Sequence, residues 1–364
     1  MKLTRRTFIS TVAAASVQST NVLANSAVLP HTSPSTTKGF LRNDGYILPP
    51  SIKEGATIAV TAPASGVKRD ELDSGIEFLK QLGIKVVLGK CIYRNNGFLS
   101  APDEQRAAEF MEFIERSDVD GIMCARGGYG VMRILPMLNF DTIRNNPKPV
   151  IGYSDITALL IAILNKSKVI SYHGPVCSSE FDTITTTSFI QSLITNKQSP
   201  DPMSPPIQQI VYQDSGFDVI ANGQGAGKLV GGNLTMICST LGTPYEIDTK
   251  DSILFLEDVS EEPYKIDRML TQLWLAGKLD KVSGIALGVF KNCDPYRRGD
   301  KSKNEDLPAA LREVFESRLG MLKVPIVSGL PFGHVKSKLT LPLGVNALLD
   351  AESKSLSFME PSVS

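Results

Sequence analysis

The chain has 364 residues and a mass of 39.5 kDa, with 42% hydrophobic and 21% charged residues, a composition typical of a globular protein of about two domains. This composition excludes disordered, collagen-like and disulfide-scaffold proteins. The 38 Lys and Arg residues balance the 38 Asp and Glu residues, so we expect no nucleic-acid partner, because nucleic-acid-binding proteins usually carry a basic excess.

The chain begins with a pattern typical of an export signal. Basic residues precede an apolar stretch from Phe8 to Val17, and Val22-Leu23-Ala24 fits a small-residue cleavage site. Thr4-Arg5-Arg6-Thr7-Phe8-Ile9 predicts a twin-arginine signal, which exports folded proteins, although a chance Arg pair in a general secretory signal is the alternative. We therefore predict a signal peptide over residues 1–24, cleavage after Ala24, a periplasmic location and no stable membrane insertion after the signal is removed.

An alternation of strands and helices follows a polar leader. Residues 25–51 are rich in Pro, Ser and Thr and predict a flexible leader, so the first domain is expected to begin at residue 52. Residues 52–176 are predicted to form an α/β domain with a parallel, flavodoxin-like sheet, whose ligand site lies at the carboxyl ends of the strands. The predicted elements are strands at Thr57–Thr61, Lys85–Leu88, Gly121–Ala125 and Pro149–Tyr153, and helices at Leu72–Leu82, Asp103–Arg116 and Asp155–Leu164.

The second half of the chain has a different pattern. Residues 177–225 contain Thr- and Ser-rich stretches and a proline cluster at 200–206, and they predict a linker or crossover. Residues 226–358 predict a β-rich second domain, with strands at Ser252–Leu256 and Ile285–Phe290, a helix near Ile266–Ala276, and several short strands bounded by Gly and Pro.

Histidine and cysteine limit the possible metal sites. The chain has three histidines, His31, His173 and His334, and its five cysteines form no C-x-x-C pair. Multi-histidine metal sites and zinc ribbons are therefore disfavoured. We expect neither a metal nor a cofactor.

Ser154 follows a predicted strand and precedes a predicted helix. Gly152 lies two residues before it, which is typical of a nucleophile elbow, where a sharp turn lifts the serine hydroxyl out of the sheet. The pattern departs from G-x-S-x-G at Ile156, where the second glycine would stand. Considered alone, Ser154 fits a helix N-cap better than a nucleophile, because serine is a favoured capping residue.

Four further features could support nucleophilic chemistry. His334 ends a Pro/Gly-bounded turn and could act as a base or lie on the surface, while His173 is the rival histidine, for which we favour a structural or pocket-lining role. Glu257 ends a predicted strand, where its carboxylate could orient an imidazole. The glycine-rich segment 126–130 could supply backbone N–H donors to an oxyanion, and it matches neither a P-loop nor G-x-G-x-x-G.

Taken together, eight segments resemble the LD-carboxypeptidase family of serine peptidases, which also includes microcin C self-immunity hydrolases. The resemblance covers roughly residues 55–350. The segments are Ala62-Pro63-Ala64-Ser65, Ala125-Arg126-Gly127-Gly128-Tyr129-Gly130, Gly152-Tyr153-Ser154-Asp155, His173-Gly174-Pro175, Gly231-Gly232-Asn233-Leu234, Gly242-Thr243-Pro244-Tyr245, Leu256-Glu257-Asp258 with Ile266-Asp267-Arg268, and Pro331-Phe332-Gly333-His334.

The resemblance implies a Ser-His-Glu triad, with Ser154 as nucleophile, His334 as base and Glu257 as the carboxylate. It places the site between an α/β domain and a β-rich, swivelling-barrel-like domain, with the backbone N–H groups of Gly128 and Asp155 as the oxyanion hole. The implied reaction releases terminal D-alanine from murein tetrapeptides, and similar proteins are often homodimers.

The sequence leaves the substrate open. Arg126, Tyr129 and Arg268 are candidate substrate-binding residues, since a guanidinium can grip a substrate carboxylate in a bidentate fork, although Arg268 could instead pair with Glu261 or Asp267. A microcin-C-like detoxifying amidase would share the triad and the fold. A periplasmic peptide-binding protein would have two lobes and a signal peptide but no reactive serine.

Overall fold

Two β-sheets organise the chain. The computed structural model describes residues 39–93, 96–194, 211–214, 216–293 and 307–364. The strands are β1 (Phe40–Leu41), β2 (Ile47–Leu48), β3 (Thr57–Thr61), β4 (Lys85–Leu88), β5 (Gly121–Cys124), β6 (Val150–Gly152), β7 (Ser171–His173), β8 (Val211–Gln213), β9 (Asp218–Ala221), β10 (Gln224–Asn233), β11 (Ser252–Glu257), β12 (Gly284–Gly288), β13 (Ile326–Leu330), β14 (Leu341–Leu343), β15 (Asn346–Asp350) and β16 (Ser355–Phe358).

Helices connect these strands. The α-helices are α1 (Asp73–Gln81), α2 (Asp103–Glu115), α3 (Val131–Ile134), α4 (Phe140–Asn145), α5 (Thr157–Ala162), α6 (Thr183–Leu193), α7 (Leu234–Thr240), α8 (Pro263–Leu275) and α9 (Ala309–Leu319). Short 3-10 turns lie at Asp70–Leu72, Leu135–Met137 and Ser154–Ile156, and a π-helical turn extends α5 over Ile163–Ser167.

The first sheet has six strands in the order β14-β7-β6-β5-β3-β4. Strands β3 to β7 run parallel, and β14 is antiparallel to β7. Central strands β5 and β6 are apolar and fully buried, as expected of parallel strands covered by helices on both faces. The predicted parallel α/β sheet is confirmed, and its carboxyl edge carries the loops that follow β3, β5 and β6.

The second sheet has eight strands in the order β8-β16-β15-β10-β11-β12-β13-β9. Its centre, β10 to β13, is parallel, and antiparallel strands flank this centre on both sides. The prediction of a β-rich carboxyl-terminal part is confirmed. The sequence prediction for this part contains a single helix, near Ile266–Ala276, so it does not indicate the parallel centre that α7, α8 and α9 connect.

The last part of the chain returns to the first sheet. Strand β14 pairs with β7, so that Leu341 lies opposite His173. The loop from Pro331 to Thr340 therefore runs from the second sheet, where β13 ends, to the edge of the first. This crossing brings residues near 334 to the carboxyl edge of the parallel sheet.

The structure differs from the sequence prediction at two boundaries. Composition predicts a flexible leader up to residue 51, but β1 and β2 form a ribbon there, and Ile47 and Leu48 are buried. Composition also predicts a linker or crossover over residues 177–225, yet α6 lies within them, capped by Asp182 and packed through buried Phe189 and Leu193. Contacts with residues distant in the sequence bury and order both segments, and the local composition does not indicate such contacts.

Several predictions concern residues outside the described part of the chain. These are the signal peptide over residues 1–24, cleavage after Ala24, residues 25–38 of the leader, and the proline cluster at 200–206. Within the described residues, no helix has the length and apolar character needed to cross a membrane.

Candidate active site

Ser154 occupies a strained turn directly after β6. Its φ of 66° lies in the left-handed region, which serine rarely adopts, and the chain enters helical turns immediately afterwards. Gly152 allows this bend, because a Cβ at Gly152 would lie 2.8 Å from the Ile156 side chain. Ile156 stands where the motif has its second glycine. Its side chain packs against Gly152, so the sharp turn forms without that second glycine.

The structure brings the three predicted side chains into one chain of contacts. His334 Nε2 lies 3.1 Å from Ser154 Oγ, and His334 Nδ1 lies 2.7 Å from Glu257 Oε2. Glu257 is the last residue of β11 and is fully buried, whereas the His334 side chain retains 18% exposure. The arrangement can transfer a proton from the hydroxyl to the imidazole while a buried carboxylate stabilises the resulting cation.

Gly333 permits the contact between His334 and Glu257. Its φ is 94°, and a Cβ at this position would collide with the carboxylate of Glu257. Glycine is therefore required both for the backbone conformation and for the close approach of the loop to the acid.

Glu257 remains ionised although it is buried. Burial opposes its charge, but interactions with His173 and His334 outweigh burial and lower the pKa of Glu257 to about 2. His173 is also buried, and its Nε2 lies 3.7 Å from Glu257 Oε1, beyond hydrogen-bond distance. The carboxylate therefore faces an imidazole on each side.

The glycine loop after β5 packs directly against Ser154. A Cβ at Gly127 would lie 2.7 Å from Ser154 Cβ, and Gly128 has a φ of 114°. Ser65 fixes this loop: its hydroxyl donates to the Phe98 carbonyl at 2.6 Å and accepts from the Tyr129 N–H at 3.2 Å. The loop is thus held beside the serine, and Gly127, Gly128 and Ser154 line the same pocket.

Asp155 connects the elbow to the other end of the glycine loop. Its buried carboxylate accepts the N–H of Val131 at 2.9 Å, and burial raises the pKa of Asp155 to about 6. Its backbone N–H belongs to the first helical turn after Ser154, where N–H groups lack intrahelical partners. Gly128 and Asp155, the residues predicted to form the oxyanion hole, are therefore both close to the serine.

A pocket of about 360 Å³ opens over Ser154 and His334. Arg126 and Glu71 place opposite charges in its wall. Among the described residues, the lining is Glu71, Arg126, Gly127, Gly128, Tyr153, Ser154, Val176, Ser178 and His334.

Comparisons with known proteins agree with this geometry. The family model described as the LD-carboxypeptidase N-terminal domain matches residues 58–174, and the one described as the LD-carboxypeptidase C-terminal domain matches residues 226–349. The chain belongs to the LD-carboxypeptidase family. The predicted enzyme class, a carboxypeptidase of the serine-peptidase type, is thereby confirmed.

Three relatives illustrate the range of this family. A probable murein peptide carboxypeptidase of Bacillus subtilis is 36% identical over 312 residues, covering 84% of this chain and 92% of the relative. The microcin C7 self-immunity protein MccF of Escherichia coli is 32% identical over 326 residues, covering 82% and 91%, and a solved structure of MccF superimposes with a TM-score of 0.74. The muramoyltetrapeptide carboxypeptidase structure from Oxalobacter formigenes is 30% identical, covers 84% and 99%, and has a TM-score of 0.69.

The predicted substrate-binding residues of this LD-carboxypeptidase fall in different places. Arg126 lines the pocket. Tyr129 is exposed and packs edge-on against Phe98, with ring centroids 5.1 Å apart, so it lies at the loop surface rather than in the pocket lining.

The prediction for Arg268 is not supported by its position. Arg268 is exposed on α8, where its guanidinium lies 5.3 Å from the centroid of the Tyr264 ring, and it is not among the pocket-lining residues. The buried face of α8 carries Ile266 and Leu270, so the helix turns Arg268 towards solvent. Its predicted partner Asp267 is paired with Arg318 at 2.9 Å.

Sequence reasoning missed several residues that shape the site. Glu71 reaches the pocket from a 3-10 turn with no motif to mark it, and buried Arg106 supports the glycine loop by donating to the Gly130 carbonyl at 3.0 Å. Tyr153, adjacent to Ser154, could have been noticed, since its ring packs edge-on against His334 at 5.0 Å. Within the described residues, no group of His, Cys, Asp and Glu is arranged to hold a metal ion.

Proposed function

We propose that this LD-carboxypeptidase is an exported enzyme that releases terminal D-alanine from murein tetrapeptides through an acyl-enzyme formed on Ser154. One observation carries the proposal: the Ser154 hydroxyl at the pocket contacts His334 Nε2 at 3.1 Å, and His334 Nδ1 contacts buried Glu257 at 2.7 Å. The murein peptide names of several relatives supply the substrate class.

In the first half of the reaction, Ser154 Oγ attacks the carbonyl carbon that precedes the terminal residue. His334 Nε2 accepts the hydroxyl proton, and the negative charge of Glu257 stabilises the imidazolium. The oxyanion accepts hydrogen bonds from the N–H groups of Gly128 and Asp155. As the C–N bond breaks, His334 donates its proton to the leaving nitrogen, so free D-alanine departs with an amino group.

In the second half, water hydrolyses the ester. His334 removes a proton from the water while the water oxygen attacks the acyl carbon, and the same two N–H groups bind the second oxyanion. The proton then returns to Ser154 Oγ as the ester bond breaks. The products are the shortened peptide, with a new carboxylate, and the regenerated hydroxyl.

The pocket wall carries one positive and one negative side chain, which suits a substrate that has both a carboxylate and an ammonium group. Arg126 can bind the carboxylate of the terminal D-alanine, and Glu71 can bind the free ammonium group of the diaminopimelate residue. Both side chains are exposed at the pocket, so each is available to a ligand.

Export and assembly complete the proposal. The twin-arginine pattern over residues 1–24 supports a periplasmic location, where the enzyme would meet wall peptides. We also propose a homodimer, as the family resemblance implies, which sedimentation of the purified protein tests.

Incubation of purified mature protein with murein tripeptide, tetrapeptide and pentapeptide, followed by mass analysis, tests the reaction. We expect loss of alanine from the tetrapeptide alone. Ser154→Ala and His334→Ala should each remove nearly all turnover with unchanged circular dichroism, because each removes a group that the bond-making step needs. Full activity in Ser154→Ala would contradict the acyl-enzyme mechanism.

The similarity to MccF supports a second candidate, a microcin-C-like amidase. One solved structure of MccF is a complex with glutamyl sulfamoyl guanosine. An aminoacyl sulfamoyl nucleoside should therefore be supplied in parallel with the tetrapeptide. Cleavage of that compound with an untouched tetrapeptide would favour the amidase.

A further inference from the structure

His173 is the buried histidine that the mechanism above does not use. It ends β7, beside Gly152 of the strand that carries the elbow, and it is 1% exposed. Its ring packs edge-on between Phe255, at 5.2 Å, and Tyr153, at 6.1 Å. The ring is therefore held in one orientation, with Nε2 directed at Glu257.

His173 and Glu257 both carry buried polar atoms that lack hydrogen-bond partners. Among the described residues, both ring nitrogens of His173 and Oε1 of Glu257 are buried without a hydrogen-bond partner. Such groups are costly to bury and rarely occur together in a folded protein. Because His173 Nε2 and Glu257 Oε1 face each other at 3.7 Å, a contraction of less than about 1 Å would satisfy both.

We propose that His173 is a positioning residue, which donates its Nε2 proton to Glu257 Oε1 and so directs Oε2 towards His334. The proposal rests on the proposed function, because it assigns a role within the same triad. Glu257 would then be held at both oxygens, by His334 Nδ1 at Oε2 and by His173 Nε2 at Oε1. A carboxylate held at one oxygen can rotate and lose its alignment with the base, whereas one held at both cannot.

The charges around Glu257 set the direction of the expected pH effect. The titratable groups that interact with it are His173 from β7, His334 from the loop after β13, Tyr153 from the elbow, the neighbouring Asp258, Lys338 and Cys293. The two imidazoles favour the ionised carboxylate and offset its burial. Removing His173 should raise the proton affinity of the coupled Glu257–His334 pair.

Three substitutions separate a donor role from a packing role. In His173→Gln the amide nitrogen lies close to the position of Nε2, in His173→Asn it lies close to that of Nδ1, and His173→Leu has no donor. Steady-state kinetics on the murein tetrapeptide should show a kcat about 10- to 100-fold lower for Leu and Asn, with KM within about twofold of wild type. Gln should recover most of the loss.

The acid limb of the pH profile provides the decisive readout. For Leu and Asn, the acid limb of kcat/KM should move to higher pH by roughly 0.5–1 unit, because a lost hydrogen bond to a charged group changes a pKa on that scale. Tyr172→Phe is the matched control. It removes a buried hydrogen bond to the Ser362 carbonyl from the same strand, so it should lower the melting temperature and leave the acid limb in place.

Nitrogen-15 NMR of labelled histidines tests the contact without turnover. In a protein that carries His31→Gln, the spectrum contains the signals of two imidazoles, His173 and His334. Adding His173→Leu leaves one imidazole, which assigns the His334 signals unambiguously. We expect the His173 proton on Nε2, and a higher titration midpoint of His334 in His173→Leu. If the Leu variant does not fold, the Gln and Asn pair carries the same comparison.

Two results would overturn the proposal. One is a set of three variants with wild-type kinetics and NMR titration; the other is equal impairment of all three with an unmoved acid limb, which indicates packing alone. Failure of wild-type protein to hydrolyse any murein peptide would count against the proposed function instead, and the NMR titration would still decide the role of His173.

Discussion

At the scale of single residues, the pocket wall makes a prediction about specificity. Arg126 is proposed to bind the terminal carboxylate, so Arg126→Ala should lower kcat/KM for murein tetrapeptide by about 10- to 100-fold, the loss expected for a hydrogen-bonded charge. Arg126→Lys should keep part of the activity, since it keeps the charge but not the bidentate fork. Steady-state kinetics on purified variants measures both.

Two controls sharpen this comparison. Arg268→Ala removes an arginine that lies on Tyr264 outside the pocket lining, and it should leave kcat/KM unchanged. A tetrapeptide with an amidated terminus lacks the carboxylate, so Arg126→Ala should affect its hydrolysis far less. An equal loss on both substrates would show that Arg126 supports the loop rather than the ligand.

Residue-scale roles are predictable where a motif marks them. Ser154, Glu257 and His334 are candidates because each lies at the end of an apolar strand or in a Gly/Pro-bounded turn, and the family resemblance then assigns their roles. The roles of Glu71 and Arg106 cannot be predicted in this way, because no motif marks the 3-10 turn or the helix on which they lie, and each gains its role from what the fold places beside it.

At the scale of elements, the loop between β13 and β14 makes the next prediction. Gly333→Ala should abolish most activity, about 100-fold or more, because a Cβ there collides with the carboxylate that must contact His334. The backbone strain of alanine at positive φ should also lower the free energy of unfolding by roughly 1–2 kcal/mol. Denaturant unfolding and kinetics on the same preparation separate the two effects.

Gly242→Ala is the matched control for that prediction. Gly242 has a similar φ of 77°, but no atom lies within 4 Å of a Cβ built there. It should show the strain cost with unchanged kcat/KM. If both variants keep full activity, the approach of the 333–334 turn to Glu257 is not needed for catalysis.

The sequence predicts some helices and strands better than others, because only some of them have a local pattern of apolar residues. The predicted bounds of β3 match those observed and the bounds of α2 agree to within one residue, because buried parallel strands and amphipathic helices have a local period. The sequence prediction places β14 in the second domain, but β14 pairs with β7 of the first sheet. A three-residue strand contains no local pattern that indicates which sheet it joins. The β1–β2 ribbon escapes prediction likewise, since Ile47 is ordered through its contact with the distant Val169 and Lys168 backbone.

At the scale of the whole molecule, the site requires nearly complete folding. Ser154 lies in the first sheet, Glu257 ends a strand of the second, and His334 lies on the segment that returns from the second sheet to the first. No partial chain that ends before residue 334 contains all three groups. A twin-arginine route would carry the finished arrangement across the membrane, whereas a general secretory route would carry an unfolded chain.

This difference makes the export route testable through the site itself. Replacing Arg5 and Arg6 together with Lys should leave the precursor in the cytoplasm, because the twin-arginine pathway reads this pair. The retained precursor should be folded and should react at Ser154 with a fluorophosphonate probe, which cell fractionation followed by gel fluorescence detects. The Ser154→Ala form of the same precursor controls for labelling elsewhere. Periplasmic protein that remains at the wild-type level after the double replacement would point to the general secretory route.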